Sequence, residues 1–440
     1  MRMRVVTRIF CPVMALWTLC ATAAAQSIAP APPPPEEPWY EALDFGLFAD
    51  AYASVNTNLP KPHEGSNTLR AYDQNNGFSL SWAGADVSYS PAPVGGAVSL
   101  RFGPTAEAYA DSCASENTRC DAAVPGLTFV KQAYAAWKPL ERLTIDFGKF
   151  DTIYGAEVAE SQNNLNYTRG AVYWLLQPLF HTGLRAELDI IPELSIRTLV
   201  VNGWNNTIDN NIGKTYGVQA VARPIPEITA TLGWLGGPEQ DDSASIDCPE
   251  GTYYFPDTGA CDPVAGAPAG TYVVDRGDAN QPEAWRHLVD LVVAWQPTPA
   301  LELVANGDFD AEGVRSMGPD LETRVDTQYA WGAMLGSRLA LTEVWSVGAR
   351  AEYVSDLDGF AVGVNDLRLV TGTLTLQADP TPNLRLTLEG RGDFAIDGGL
   401  QDVLASPSEV DDEKNDIFPA EVRDDVDHQV TVVLGVVARL

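Results

Sequence analysis

The eight residues Gly183–Ile190, GLRAELDI, decide the fold. Leu184, Ala186, Leu188 and Ile190 fall on one side of a period-two pattern, and Arg185, Glu187 and Asp189 on the other. This is the alternation of a β-strand whose two faces meet different surroundings. A short turn, Ile191-Pro192-Glu193, follows it. Leu384–Asp393 repeats the pattern, with Leu384, Leu386 and Leu388 opposed by Arg385, Thr387, Glu389 and Arg391. Trp345–Tyr353 does so again, with Ser346, Gly348, Arg350 and Glu352 on its polar side.

The same texture continues outward from Phe45 to Leu440, in segments of roughly 9–14 residues joined by connections of two kinds in rotation. One kind is short and often carries proline: Pro91 to Gly96, Pro139 to Arg142, Ile191 to Glu193, Pro224 to Glu227, Pro297 to Ala300, Leu341 to Val344 and Asp379 to Asn383. The other is long, polar and acidic, around 57–77, 111–126, 151–180, 203–213, 237–284, 311–325, 356–366 and 396–425. Seven short and eight long connections make fifteen, hence about sixteen strands. The fold read from this is all-β, a transmembrane antiparallel barrel with short periplasmic turns and long extracellular loops. A soluble sandwich does not segregate its loop lengths in this way. Arginine or lysine facing lipid at the bilayer midplane costs about 2–4 kcal/mol, so the polar face is the lumen. Arg101, Arg185, Glu187, Arg197, Arg350, Glu352, Arg385, Glu389 and Arg391 are therefore expected to line it. The last strand alternates from Val430 to Leu440 and ends on leucine, where such barrels usually end on an aromatic residue.

The N-terminus reads as an address. Arg2, Arg4 and Arg8 precede an apolar core from Ile9 to Ala21, and Ala23-Ala24-Ala25 offers a cleavage site before Gln26. Residues 1–25 are read as a signal peptide (a retained anchor being the alternative), 26–43 as a Pro-rich periplasmic segment and 44–440 as the barrel. Acidic residues number 59 against 28 basic, a net charge of −31 that becomes −34 once the three arginines of the signal leave. Such a charge argues against nucleic acid as a partner. Cys113 and Cys120 form one local pair, and Cys248 and Cys261 another. In an exported chain these read as two loop disulfides, the alternative being a zinc site that lacks both CxxC spacing and a nearby histidine.

Several stretches together resemble the OmpL-like beta-barrel porin family: Arg70-Ala71-Tyr72-Asp73, Phe147 to Thr152 with Gly155-Ala156-Glu157, Asn166 to Arg169, Pro178 to Gly183 and Val201 to Trp204. The resemblance covers most of the chain after Phe45 and implies an outer-membrane channel without catalytic residues or cofactor. Enzymatic signatures are absent from the sequence: His63, His181, His287 and His428 fall in no metal-ligand spacing, and no nucleophile-elbow or Walker pattern occurs. A hydrolytic site assembled across strands stays open as an alternative.

Two kinds of loop invite a functional reading. The loop 151–180 is long for an unstructured connection. In general porins of sixteen strands the third long loop folds inward and narrows the pore, an analogy at the level of fold. Asp151, Glu157, Glu160 and Arg169 would then face basic wall residues such as Arg101, Arg185 and Arg197; alternatively the loop only covers the outer mouth. The segments 237–284 and 396–426 each hold ten acids, which form either plain solvated loops, a cation-concentrating vestibule or bridges through divalent ions to lipopolysaccharide phosphates. No DxDxDG run supports a defined calcium site. The function expected is passive diffusion of small hydrophilic solutes across the outer membrane with weak cation selectivity, in a homotrimer by analogy. The alternative is a plugged surface receptor or adhesin.

Overall fold

In the computed structural model the period-two segments close into one antiparallel barrel of sixteen strands. The structure describes residues 39–58, 67, 69–74, 76–90, 93–112, 120–240, 243–248, 250–255, 260–264, 270–275, 282–317, 323–361, 366–396 and 427–440. The signal peptide, most of the Pro-rich segment, Cys113 and the acidic stretch up to 426 lie outside the described residues. The strands are β1 Leu43–Asn56, β2 Gly77–Tyr89, β3 Val94–Phe102, β4 Val130–Leu140, β5 Leu143–Asp151, β6 Phe180–Ile191, β7 Leu194–Val201, β8 Thr215–Ile225 and β9 Ile228–Pro238. Four short strands follow within one loop: β10 Ser243–Cys248, β11 Thr252–Phe255, β12 Ala260–Pro263 and β13 Gly270–Asp275. The barrel resumes with β14 Trp285–Thr298, β15 Leu301–Met317, β16 Thr323–Ala340, β17 Trp345–Asp356, β18 Leu367–Thr381, β19 Leu384–Ala395 and β20 His428–Arg439. Each barrel strand pairs with its neighbour in the chain, β9 with β14, and β20 closes on β1.

Burial follows the alternation with the sign opposite to that of a soluble protein. Along β19, Arg385, Thr387, Glu389 and Arg391 are buried while Leu386 and Leu388 are exposed. Trp137, Trp295 and Trp345 sit on the outer face close to short turns. Phe78, Phe102, Tyr216, Phe309, Tyr329 and Phe394 do so near the long-loop ends. These are the two aromatic belts of a membrane barrel.

Proline shapes four of the seven short turns through a bulge, and the β6–β7 hairpin has a further register shift at Ile190. Register shifts fall at Lys138-Pro139, Arg223-Pro224, Gln296-Pro297 and Asp379-Pro380, each just before a turn. Proline has no N–H for the ladder and is accommodated in a bulge. The N–H of the residue before each proline donates to the preceding short turn: Lys138 to Pro93, Arg223 to Glu193, Gln296 to Glu227 and Asp379 to Val344. Asp189 to Arg142, Ala340 to Ala300 and Arg439 to Asn383 complete the series, so six turns are stapled to the next hairpin and the seventh to β20.

Two expectations shift at the long-loop end. The connection expected at 311–325 is only 318–322, because backbone pairing of β15 with β16 runs on to Met317 and Thr323. The one expected at 111–126 begins at Gly103, whose φ of 122° breaks β3 before the short helix α1, Pro104–Ala110. The Cys248–Cys261 disulfide joins β10 to β12 with Cα atoms 5.5 Å apart. The Cys113–Cys120 pair involves a residue outside the described set.

Candidate functional site: the loop inside the barrel

The third long loop, residues 152–179, turns into the barrel and carries a short helix α2, Ala171–Leu176. Its polar atoms meet strands on all sides. Gln219 of β8 donates to the carbonyl of Ile153 at 2.6 Å, and the Tyr154 hydroxyl donates to the Trp234 carbonyl of β9 at 2.9 Å. The Gly155 and Ala156 N–H groups donate to Asp290 of β14 and Asn306 of β15. Ser161 and the Tyr167 hydroxyl both donate to Asp50 of β1. Asn166 donates to Thr375 of β18 at 2.6 Å. Ala171, Val172 and Leu176 of α2 pack against Ala330, Met334, Val354 and Leu369 of the wall, each large apolar side chain contributing about 1.5–3 kcal/mol.

Six of the nine wall residues expected from alternation hold this loop. Arg101 pairs with Glu160 at 2.7 Å. Arg350 pairs with Glu157 at 2.6 Å and donates to the Thr168 carbonyl. Glu352 accepts the Val172 N–H, Arg385 donates to the Gln162 carbonyl and Arg391 to that of Arg169. Glu389, wholly buried, accepts the N–H groups of Tyr167 at 2.7 Å and Thr168 at 3.0 Å, and the hydroxyls of Thr168 and Thr375. The other three stay within the wall. Arg185 pairs with Asp146 at 2.7 Å, and Arg197 with Glu187 at 3.0 Å.

The expected opposition of loop acids to Arg185 and Arg197 is thus corrected. Each of these arginines finds a carboxylate one strand away, Asp146 or Glu187, closer than the loop. Asp151 belongs to the end of β5 and binds Lys131, with the Tyr109 hydroxyl at 3.1 Å. Arg169 makes no direct ion pair among the described residues; Asp50 of β1 is its foremost charged neighbour, and its guanidinium lies 4.5 Å from the Tyr72 ring and donates to the Tyr167 carbonyl. Gly170 is squeezed between two carboxylates, and a Cβ there would lie 2.1 Å from Glu352 Oε1 and 2.7 Å from Glu157 Oε2. His181 is buried between Thr152 and the Gly203 carbonyl, at 3.1 and 3.0 Å.

Burial opposes ionisation of Glu160, yet Lys131 and Arg101 together hold its carboxyl down at about 2. For Glu157 burial wins, and with Glu352 nearby its carboxyl stays above the usual range despite Arg350. Sequence reading missed Lys131 and Asp50. Asp50 could have been found, since it shares the period-two face of Tyr52 and Ser54 along β1. Among the described residues no group of His, Cys, Asp and Glu is arranged to hold a metal ion.

On the short-turn side of this loop several charged pairs remain partly exposed within the barrel, notably Arg197–Glu187 and Arg338–Glu302. A cavity of about 390 Å³ lies there beside Gln162 and Asn163, bounded by Phe48, Asp86 and Arg439.

A closed sixteen-stranded barrel, apolar outside and charged inside, with a loop folded into its lumen, is the architecture of a bacterial outer-membrane porin. The chain belongs to the family described as "Putative beta-barrel porin-2, OmpL-like", whose model matches residues 42–440. Among solved structures it is similar to OmpTdeltaL8, a loop L8 deletion mutant of the outer membrane protein OmpT of Vibrio cholerae, with a TM-score of 0.51 and 10% identity over 90% of this chain and 99% of that one. It is similar as well to the trimer form of in-vitro folded OmpT, with a TM-score of 0.50 and 12% identity over 90% and 99% of the two chains. Salmonella typhi OmpF in complex with daunomycin gives a TM-score of 0.51 and 11% identity over 90% and 97%. At these identities the likeness is one of fold. No curated protein matches the chain.

Proposed function

We propose that this porin lets small hydrophilic solutes diffuse passively through its lumen, with weak cation selectivity. The observation that carries the reading is the set of lumenal charges left partly exposed beside the inward loop, where Arg197 and Glu187 keep 25% and 36% of their side-chain surface and Arg338 and Glu302 keep 33% and 36%. Charges placed in this way face water. Because acid is set against base in these exposed wall pairs, strong preference cancels at them, and selectivity falls mainly to the acidic long loops. Their field is screened, since the Debye length shrinks from about 30 Å at 0.01 M salt to about 3 Å at 1 M.

Planar-bilayer recording tests this. A steady conductance is expected, with a reversal potential in a salt gradient that shows mild cation preference at low salt and fades as salt rises. Neutralising acids between Asp411 and Asp425 should weaken it. Absence of conductance supports instead a barrel plugged by its third loop and acting as a receptor or adhesin. Anion preference at low salt would assign control to the wall arginines. The same reading takes the assembly to be a homotrimer in lipid and lipopolysaccharide, to be checked by the mass of the detergent-extracted complex.

A further inference from the structure

Where the third loop meets β14 and β15, carboxylates outnumber the groups that satisfy them. Asp290 faces Asp308 across the strand pair, and Asp310 and Glu312 continue along β15 on the same buried face. One Asp290 oxygen accepts from the Gly155 N–H and Asn306, Asp308 accepts from Gln177 and Asn306, and Arg286 donates to Glu312 Oε2. Asp290 and Asp308 are also within hydrogen-bond reach of each other. Asp290 Oδ1, both oxygens of Asp310, Glu312 Oε1 and Gln177 Oε1 are buried with no hydrogen-bond partner. Asp310 itself has no exposed surface. The orphans are all acceptors, so what the group lacks is positive charge.

Arg286 supplies only part of it, since its charge acts on Glu312, Glu239 and Asp310 together. Its guanidinium is stacked 5.0 Å from the Trp204 ring and 4.8 Å from that of Phe360, and its hydrogen bonds go to Glu312. Glu312, Glu239 and Asp310 thus share one guanidinium, while Asp290 and Asp308 have only each other and amide donors. Burying unpaired carboxylates costs several kcal/mol each, so the group holds a cation or loses its charge.

We propose that Asp290, Asp308 and Asp310, with the Gln177 amide oxygen, form a lumenal binding site for a univalent cation, either an alkali ion or the ammonium group of a solute. The side chains are not arranged to chelate a metal, so the ion is held by the summed field and by oxygen dipoles while keeping part of its own water. The proposal rests on the diffusion reading for the route by which cations arrive, whereas its test does not need conduction.

The test is thermal unfolding of the folded full-length chain in detergent at constant ionic strength, in potassium chloride, methylammonium chloride or choline chloride. A ligand that binds only the folded state raises its unfolding temperature in a saturable way. Wild type is expected to unfold at higher temperature in potassium or methylammonium than in choline, whose bulk excludes it, and Asp310→Asn should lose that shift. If only one of the two small cations gives the shift, that arm identifies the source of the positive charge. Asp308→Asn serves as a second variant should the first not fold. Equal unfolding temperatures in all three salts would overturn the proposal, as would a shift retained in both variants. A shift without conductance would uphold the site and refute the diffusion reading.

Discussion

Glu389→Gln is the sharpest probe of the inward loop. The carboxylate accepts four donors at once, the N–H groups of Tyr167 and Thr168 and the hydroxyls of Thr168 and Thr375. An amide keeps one oxygen for two of them and turns an NH₂ group towards the other two. Each oxygen takes one N–H and one hydroxyl, so one N–H is left facing a donor at about 1.5–3 kcal/mol. The hydroxyl beside it turns to accept, and every surviving bond loses its charge assistance. With that lost assistance counted, docking weakens by about 3 kcal/mol, or about a hundredfold in the docked-to-released ratio. The barrel itself should survive, because strand pairing through Glu389 uses the backbone. Single-channel recording should then show frequent excursions to a larger conductance that wild type visits rarely. A variant with wild-type conductance and no new substates would refute the claim that Glu389 clamps the loop.

Gly170→Ala must displace Glu352 or Glu157, an overpacking cost of about 1–3 kcal/mol, and should produce the same substates at lower frequency. The contribution of Glu160 has a defined pH window: with its carboxyl held at about 2 by Lys131 and Arg101 despite burial, it is fully present above about 4.5 and lost as pH falls towards 2. The difference in loop docking between wild type and Glu160→Gln, read from substate frequency, should therefore be flat from pH 8 to 5 and shrink only below that. Glu239 behaves in the opposite sense. Burial, only partly offset by Arg286, pushes its carboxyl up to about 7, so its contribution is greatest in acid and is lost as pH rises from about 4.5 through 7. Amide exchange at Trp204, whose N–H it accepts, should be slower at pH 5.5 than at pH 8 after correction for intrinsic rates, and Glu239→Gln should flatten that dependence.

Much of the barrel is legible in the chain because period two is a local property. Leu386 and Arg385 announce opposite faces without reference to anything distant, and proline marks the turns. Partnership is a different matter. Glu389 meets Tyr167 across 222 residues, a contact created only when the sheet closes, so alternation can place Glu389 on the inner face without saying what it holds. The same limit explains Arg185 and Arg197. Alternation groups both with polar neighbours, but Asp146 and Glu187 reach them through strand registers that the sequence does not state. Asp290 is hidden in the sequence for another reason: it interrupts the apolar run from Leu288 to Trp295, where alternation of charge is too weak to signal an inner face.

The seven staples at the short-turn end bear on how such a barrel can change size. Each hydrogen bond links one turn to the hairpin that follows, the last to β20, and the series ends at a seam where Leu47 and Leu440 exchange both backbone bonds. The unit is a hairpin with its own tie, and in five of the seven its own bulge, so nothing in it counts its siblings. Duplicating or deleting one hairpin would preserve every tie but the one at the join. The number sixteen is then enforced by two non-local features, the seam and the reach of the inward loop from Asp290 on one wall to Asp50 near the seam. Circumference is inherited from the span of that loop, and a lineage that lengthened the loop could add strands in pairs without redesigning the wall.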